Sequence, residues 1–137
     1  MSVKRFFDTN VLLYAYDLDA GSKREKALVL LSEALRVPSE TAISVQVLQE
    51  FHANFTRFGN MDEDAATLIQ DLSIFHVVDN TLSLLRRGLE EKARWQLSLW
   101  DAMILAAARQ SRSSELLTED FNSGQDYGGI RAVNPFT

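Results

Sequence analysis

The sequence predicts an α/β domain with a parallel sheet covered by helices on both faces. Three observations carry this expectation. Short apolar runs alternate with longer segments of helical periodicity. No hairpin turn signal joins one run to the next, so neighbouring strands must be reached by crossovers. The chain has 137 residues, a length that suits one domain over residues 1–137 and not two.

The elements follow in order. Val3 to Asp8 is apolar and ends in an acid, the pattern of a buried strand. Asn10 to Asp17 reads as a helix with Asn10 or Thr9 as its cap. After a turn at Asp19-Ala20-Gly21, Ser22 and Glu25 form a capping box that opens a helix to about Arg36. Ala27, Leu28, Leu31 and Leu35 recur along it at helical spacing, and Pro38 stops it. Thr41 to Ser44 is a short strand. Gln46 to Phe58 is a helix with Val47, Leu48, Phe51, Phe55 and Phe58 on its apolar side, ended by Gly59-Asn60. Asp62 to Ser73 is a helix whose opening acids Asp62, Glu63 and Asp64 suit the positive end of the dipole. Ile74 to Asp79 reads as a strand, Thr81 to Arg94 as a helix, and Asp101 to Arg112 as an alanine-rich helix. Glu115 to Thr118 is a strand, Phe121 to Gly129 a loop, and Ile130 to Asn134 a last strand. There is no internal repeat, low-complexity stretch or proline-rich linker.

Composition narrows the function classes. Hydrophobic residues make up 46% and charged residues 24%, as in ordinary globular proteins. The 14 basic and 19 acidic residues leave a net charge of −5, which argues against nucleic acid held by bulk positive charge. A local basic patch stays possible, and Arg, which outnumbers Lys here, suits bidentate phosphate contacts. The absence of cysteine excludes a disulfide framework, a thiolate zinc site and a cysteine nucleophile. With only His52 and His76, a histidine-rich metal site is disfavoured. The first residues lack the pattern of a secretory signal, and no run approaches the ~20 apolar residues of a membrane span. The expectation is a soluble cytoplasmic protein with no membrane partner.

In an open parallel sheet, ligands bind beyond the carboxyl ends of the strands. Asp8 ends the first predicted strand, and Thr118-Glu119-Asp120 ends the fourth. Asp101 opens the helix that leads into that fourth strand, and Glu50 lies about two turns into the helix after the second. Four carboxylates on one rim repel each other unless some are protonated or a cation joins them. Without sulfur and with little imidazole, the fitting cation is a hard one with oxygen ligands, Mg²⁺ or Mn²⁺. Such a site suits phosphodiester hydrolysis.

Each residue also has a plainer reading. Asp8 can simply end a strand, and Asn10 can be a cap. Ser98-Leu99-Trp100-Asp101 fits a capping box. Glu50 can be a solvated helix acid, aligned with Gln46 and Asn54 in a polar stripe that faces water or a cleft. Asp120 can be a turn acid. His52 and His76 read as structural or exposed, and Trp95 and Trp100 as core or interface. The glycine-containing loop 122–129 lacks the Gly-Lys-Ser/Thr of a phosphate grip. If RNA approaches the acids, flanking cations are expected among Lys4, Arg5, Lys23, Arg24, Arg86, Arg87 and Arg109, each of which also reads as a solvated surface charge.

Four segments together carry a resemblance. Phe7-Asp8-Thr9-Asn10-Val11-Leu12-Leu13-Tyr14 resembles the opening motif of PIN-domain nucleases. Ile43 to Phe51, with Glu50 as the acid, resembles their second motif. Leu99-Trp100-Asp101-Ala102-Met103-Ile104-Leu105-Ala106-Ala107-Ala108 resembles the third, and Leu116-Leu117-Thr118-Glu119-Asp120-Phe121 the fourth. Order and spacing agree over nearly the whole chain. The resemblance implies a parallel sheet of strand order 3-2-1-4-5 and a Mg²⁺- or Mn²⁺-dependent endoribonuclease site. It implies that Asp8, Glu50, Asp101 and Asp120 are the catalytic and metal-binding acids, with Thr9 and Asn10 supporting the first and Ser44 and Thr118 as nearby hydroxyls. Glu119 and Asp126 stand close to Asp120 in sequence as other acids for the fourth position. It further implies kinship to VapC-type toxins of type II toxin–antitoxin pairs, which form homodimers, are held by a cognate antitoxin and cut tRNA or rRNA.

Two other classes compete. A phosphoacceptor receiver domain is also small and doubly wound, but it needs an early pair of Asp and a late Lys. Here Asp8 stands alone and no Lys follows Lys92. The other is a non-catalytic partner-binding module, with Val11, Leu12, Tyr14 and Tyr16 as its contact surface and the acids merely structural.

Overall fold

The computed structural model describes residues 4–137, so Val3, the start of the first apolar run, lies outside the described residues. Strands β1 (Arg5–Phe7), β2 (Thr41–Ser44), β3 (His76–Val78), β4 (Glu115–Leu117) and β5 (Arg131–Val133) form one sheet. All pairs are parallel, in the order β3-β2-β1-β4-β5. Phe6 stands between Ala42 on one side and Leu116 on the other. All three side chains are fully buried, as parallel strands covered on both faces require.

Helix α1 (Thr9–Ala15) packs on both α2 (Ser22–Arg36) and α3 (Val45–Arg57), α3 packs on α4 (Asp62–Leu72), and α5 (Leu82–Trp95) packs on α6 (Leu99–Gln110). Every residue from Ala102 to Ala108 is buried. That follows from the position of α6, wedged between β2 and β4 on one side and α5 on the other. A helix covered all round loses its polar face, which is why this segment is rich in alanine. Gly88 of α5 allows the close approach, because a Cβ there would run into the thioether of Met103.

The chain steps outward from β1 to β2 and β3, then crosses back to β4 on the other side of β1. The strand order therefore reverses between β1 and β4, and the crevice of such a sheet opens at that point.

Local details correct the sequence reading in several places. Helix α1 begins at Thr9, and its cap is Asp8, not Thr9 or Asn10. The backbone of Asp8 is still extended, so its carboxylate turns onto the first helical N–H. The Ser22–Glu25 capping box does not form. Gly21, at φ 61°, occupies the cap without a side-chain bond and Ser22 is already helical. A Ser-x-x-Glu spacing cannot tell a cap from the residue after it. Leu35 and Phe58 fit the apolar spacing of their helices, yet both are exposed. Phe58 lies one residue past the end of α3, where the helical face no longer constrains it. Ile74 is exposed in a turn before β3.

Candidate active site

Asp8 follows β1 directly. Its N–H donates to the Leu117 carbonyl at 3.0 Å, which continues the ladder to β4 and fixes the residue at the switch point. Its carboxylate is buried and takes two short bonds. The Thr9 N–H reaches Oδ1 at 2.7 Å, and the Thr118 hydroxyl reaches Oδ2 at 2.7 Å. Burial pushes the Asp8 carboxyl up from about 3.8 to about 7, against the pull of these two bonds, and the charges of Asp120 and Glu50 push in the same direction as burial.

The other acids arrive on separate elements. Glu50, on α3, accepts the Thr9 hydroxyl at 2.8 Å, so neighbouring residues of one segment orient Asp8 and receive Glu50. Asp101 lies in the first turn of α6, where the Ser98 hydroxyl accepts its N–H at 3.2 Å. The helix cap read from the sequence is therefore present, yet the Asp101 side chain still lines the cleft. Partial burial, then the neighbouring Asp120, raises its pKa. Asp120 follows β4 by way of a turn in which its N–H donates to the Thr118 hydroxyl at 3.0 Å. Thr118 thus ties the first and fourth acids through one side chain.

Asp8, Glu50, Asp101 and Asp120 line one cleft of about 100 Å³, together with Thr9, Asn10, Gln46, Asn54, Trp100 and Ile104. Among the described residues, none of the four carboxylates forms a salt bridge. The neighbouring acids are committed elsewhere. Glu119 accepts from the Tyr14 hydroxyl and from Lys23 Nζ at 2.8 Å, which hold its carboxyl below the ordinary range despite burial. Asp126 accepts the Gly129 N–H at 2.6 Å inside its own loop. Of the three acids near the end of β4, Asp120 is the one on the cleft. Ser44 is not on the cleft. It is buried as the cap of α3, accepting the Val47 N–H at 3.2 Å.

The donor set is all oxygen, from carboxylates and the amides of Asn10, Gln46 and Asn54. Both histidines lie elsewhere, His76 bonded to Lys4 and His52 facing Asp62. Among the described residues, no three histidine or acidic side chains stand close enough together to hold a metal ion by themselves. A hard cation that keeps most of its water and takes few carboxylates directly fits such a loose ring.

The expected flanking cations mostly serve other ends. Arg5 and Lys4 sit at the opposite end of β1, bonded to Glu115 and His76. Arg109 holds buried Glu91 at 2.9 Å and the carbonyls of Tyr127 and Gly128. Lys23 is held by Glu119. Arg24 has a buried Nε without a partner, and Arg86 and Arg87 are exposed on α5. Sequence reasoning passed over Arg57, whose guanidinium donates to Asn54 Oδ1 at 2.7 Å beside the cleft. Its signal was the i+3 spacing from Asn54 on the polar stripe of α3. Trp100 is also a rim residue, 66% exposed, rather than core.

An open parallel sheet with a cluster of unpaired carboxylates at its switch point defines an α/β domain of the acidic-cleft type. Residues 5–123 match the model of the PIN domain family, and the chain belongs to that family. Among solved structures it is similar to a toxin–antitoxin complex from Klebsiella pneumoniae, with 26% identity, 97% of this chain and 98% of that chain covered, and a TM-score of 0.70. VapC20 of Mycobacterium tuberculosis, a sarcin-ricin loop cleaving toxin, shares 21% identity over 85% of this chain and 92% of that chain, with a TM-score of 0.69. A DNA-bound VapBC of Salmonella typhimurium shares 19% identity over 96% of this chain and 97% of that chain, with a TM-score of 0.64. No curated protein sequence matches the chain. Among the described residues, no helix is long and apolar enough to cross a membrane.

Proposed function

We propose that this PIN-domain protein is a metal-dependent endoribonuclease and the toxin of a VapBC-type pair. The observation that carries the reading is the convergence of four unpaired carboxylates, from four separate segments, on one small cleft at the switch point. Evolutionary kinship supports the toxin class, since the Klebsiella pneumoniae structure is a toxin–antitoxin complex.

In this reading Asp8 and Asp101 hold Mg²⁺ or Mn²⁺, directly or through water, and Glu50 and Asp120 complete the set and orient the attacking water. The bound cation supplies Lewis-acid polarisation of a phosphate oxygen and acidifies water at neutral pH. Thr118 and the Thr9 N–H fix the Asp8 carboxylate in one orientation, so it need not reorganise when charge develops. The Thr9 hydroxyl does the same for Glu50. The substrate is a cellular RNA of the tRNA or rRNA class. A cognate antitoxin restrains the enzyme, which acts as a homodimer in the cytoplasm. Leu82, Leu85 and Leu89, exposed along one stripe of α5, support such an apolar contact face.

The test is cleavage of total cellular RNA by the purified, partner-free protein with Mg²⁺, with Mn²⁺ and with EDTA, beside Asp101→Asn. Discrete fragments that need the metal and vanish in the variant are expected. A folded wild-type protein that yields none, and whose melting temperature Mn²⁺ leaves unchanged, is instead the non-catalytic module.

A further inference from the structure

Trp100 is the aromatic residue of the cleft, and the nuclease reading leaves it without a task. Large aromatic side chains are on average well buried, and the other tryptophan follows that rule, with Trp95 packed edge-on against Tyr127 at 5.2 Å. Trp100 is 66% exposed. Among the described residues its ring meets no other aromatic ring and no cation. Yet it lines the same cleft as the four acids and is the chain neighbour of Asp101.

Its backbone is held from two sides. Ser98 caps the first turn of α6 at the Asp101 N–H, 3.2 Å away. From α3, the Gln46 amide crosses the rim and donates to the Trp100 carbonyl at 3.2 Å. An apolar platform is thus fixed at the edge of a charged cleft rather than left on a mobile loop.

Charge then selects the occupant. The protein is acidic overall, no Lys or Arg among the described residues lines the cleft, and Arg5, Lys23 and Arg109 are held in ion pairs. Phosphate neutralisation, which dominates most nucleic-acid affinity, has few groups to act through here. Base stacking has no net charge and works at an acidic rim. It also tolerates different bases, because every base has a π-face.

We propose that Trp100 is a substrate-contact residue: a nucleobase of single-stranded RNA beside the scissile phosphate stacks on its indole face. The inference rests on the nuclease reading above and names a contact that fixes where the strand is cut. It concerns RNA and not a protein partner. A partner or a second copy covering the ring is the competing outcome.

The test uses the full chain with Mg²⁺. Fragment ends from digested total RNA give the cut positions, and a short oligoribonucleotide spanning the strongest one gives KM and kcat. The loss expected in Trp100→Ala and Trp100→Gln is roughly 5- to 150-fold, mainly in KM. Cut positions along the strand become less uniform, while Trp100→Phe keeps most of the affinity and the wild-type fragment ends. A second readout is independent of turnover. In Trp95→Phe, where Trp100 is the remaining tryptophan, its emission should be quenched by the product oligonucleotide. Wild-type cleavage with unchanged KM and unchanged fragment ends in Trp100→Ala overturns this inference alone. So does emission that responds to protein concentration and not to the oligonucleotide, which assigns the ring to a protein interface. Wild-type protein that cuts no RNA overturns the nuclease reading and this inference with it.

Discussion

At the amino end of the central strands, charge is balanced. Arg5 of β1 donates to Glu115 of β4 at 3.1 Å and reaches Glu33 of α2 at 3.9 Å. At the carboxyl end of the same two strands, Asp8 and Asp120 face each other's charge with Glu50 and Asp101 beside them, and no Lys or Arg among the described residues lines the cleft. The two ends belong to the same ladder, with Asp8 three positions after Arg5 and Asp120 five after Glu115. A fold that can place Arg opposite Glu at one end can do so at the other. An uncompensated end is what the proposed nuclease site requires, since active sites commonly give up stability for a ligand.

The sharpest way to break this contrast is to remove charge at the carboxyl end. Asp8→Asn keeps size and the Thr118 contact but lacks the negative charge. RNA cleavage should fall by at least about 100-fold, as when an enzyme loses a principal electrostatic group. Glu119→Gln, one residue from Asp120 but tied to Tyr14 and Lys23, should keep activity within about threefold of the wild type, in line with the small worth of partly exposed pairs. Equal losses in both variants, measured as initial rates on the same RNA, would show that the cleft acids are not distinct from their neighbours.

The same charge should cost stability. Asp8 titrates near 7 in the fold and near 3.8 when unfolded. Between those values the folded protein keeps a proton that the unfolded chain releases. The stability linked to that proton is fully present below about pH 4 and is lost as pH rises through about 7. The gap corresponds to at most about 4 kcal/mol, at ~1.4 kcal/mol per pH unit. Asp101 shifts in the same direction, whereas Glu119 shifts oppositely. The metal-free protein should melt lower at about pH 8 than at about pH 5.5. Mn²⁺ should restore part of the loss at the higher pH, and Asp8→Asn should flatten the dependence. A melting temperature that rises over this range in EDTA contradicts the arrangement.

Much of this contrast is legible in the sequence, for a physical reason. Strand termini, helix starts and their spacing place Asp8, Glu50, Asp101 and Asp120 on one rim once the sheet is parallel, and the strand order follows from the PIN resemblance. What stays hidden is pairing between distant segments. That Lys23 claims Glu119 across 96 positions, leaving Asp120 for the cleft, has no local signature. Nor does the Thr118–Asp8 bond, which needs β4 beside β1. Periodicity also fails at element ends. Phe58 continues the apolar stripe of α3 but lies past its last turn, and Trp100 sits where α6 emerges from its neighbours.

The smallest expected effect sharpens the comparison from the balanced end. Arg5 is partly exposed, and its two partners are partly exposed as well. Solvent weakens such pairs to about 0–1 kcal/mol. Arg5→Gln should therefore lower stability by less than about 1 kcal/mol, read from denaturant midpoints at constant slope. It should leave metal-dependent cleavage unchanged, because Arg5 lies at the far end of β1 from the cleft. The lost stability should also shrink in high salt, since exposed pairs are screened. Were Arg5→Gln to depress cleavage as strongly as Asp8→Asn, the two ends of the sheet would be one coupled unit, and charge placement alone would not separate scaffold from site.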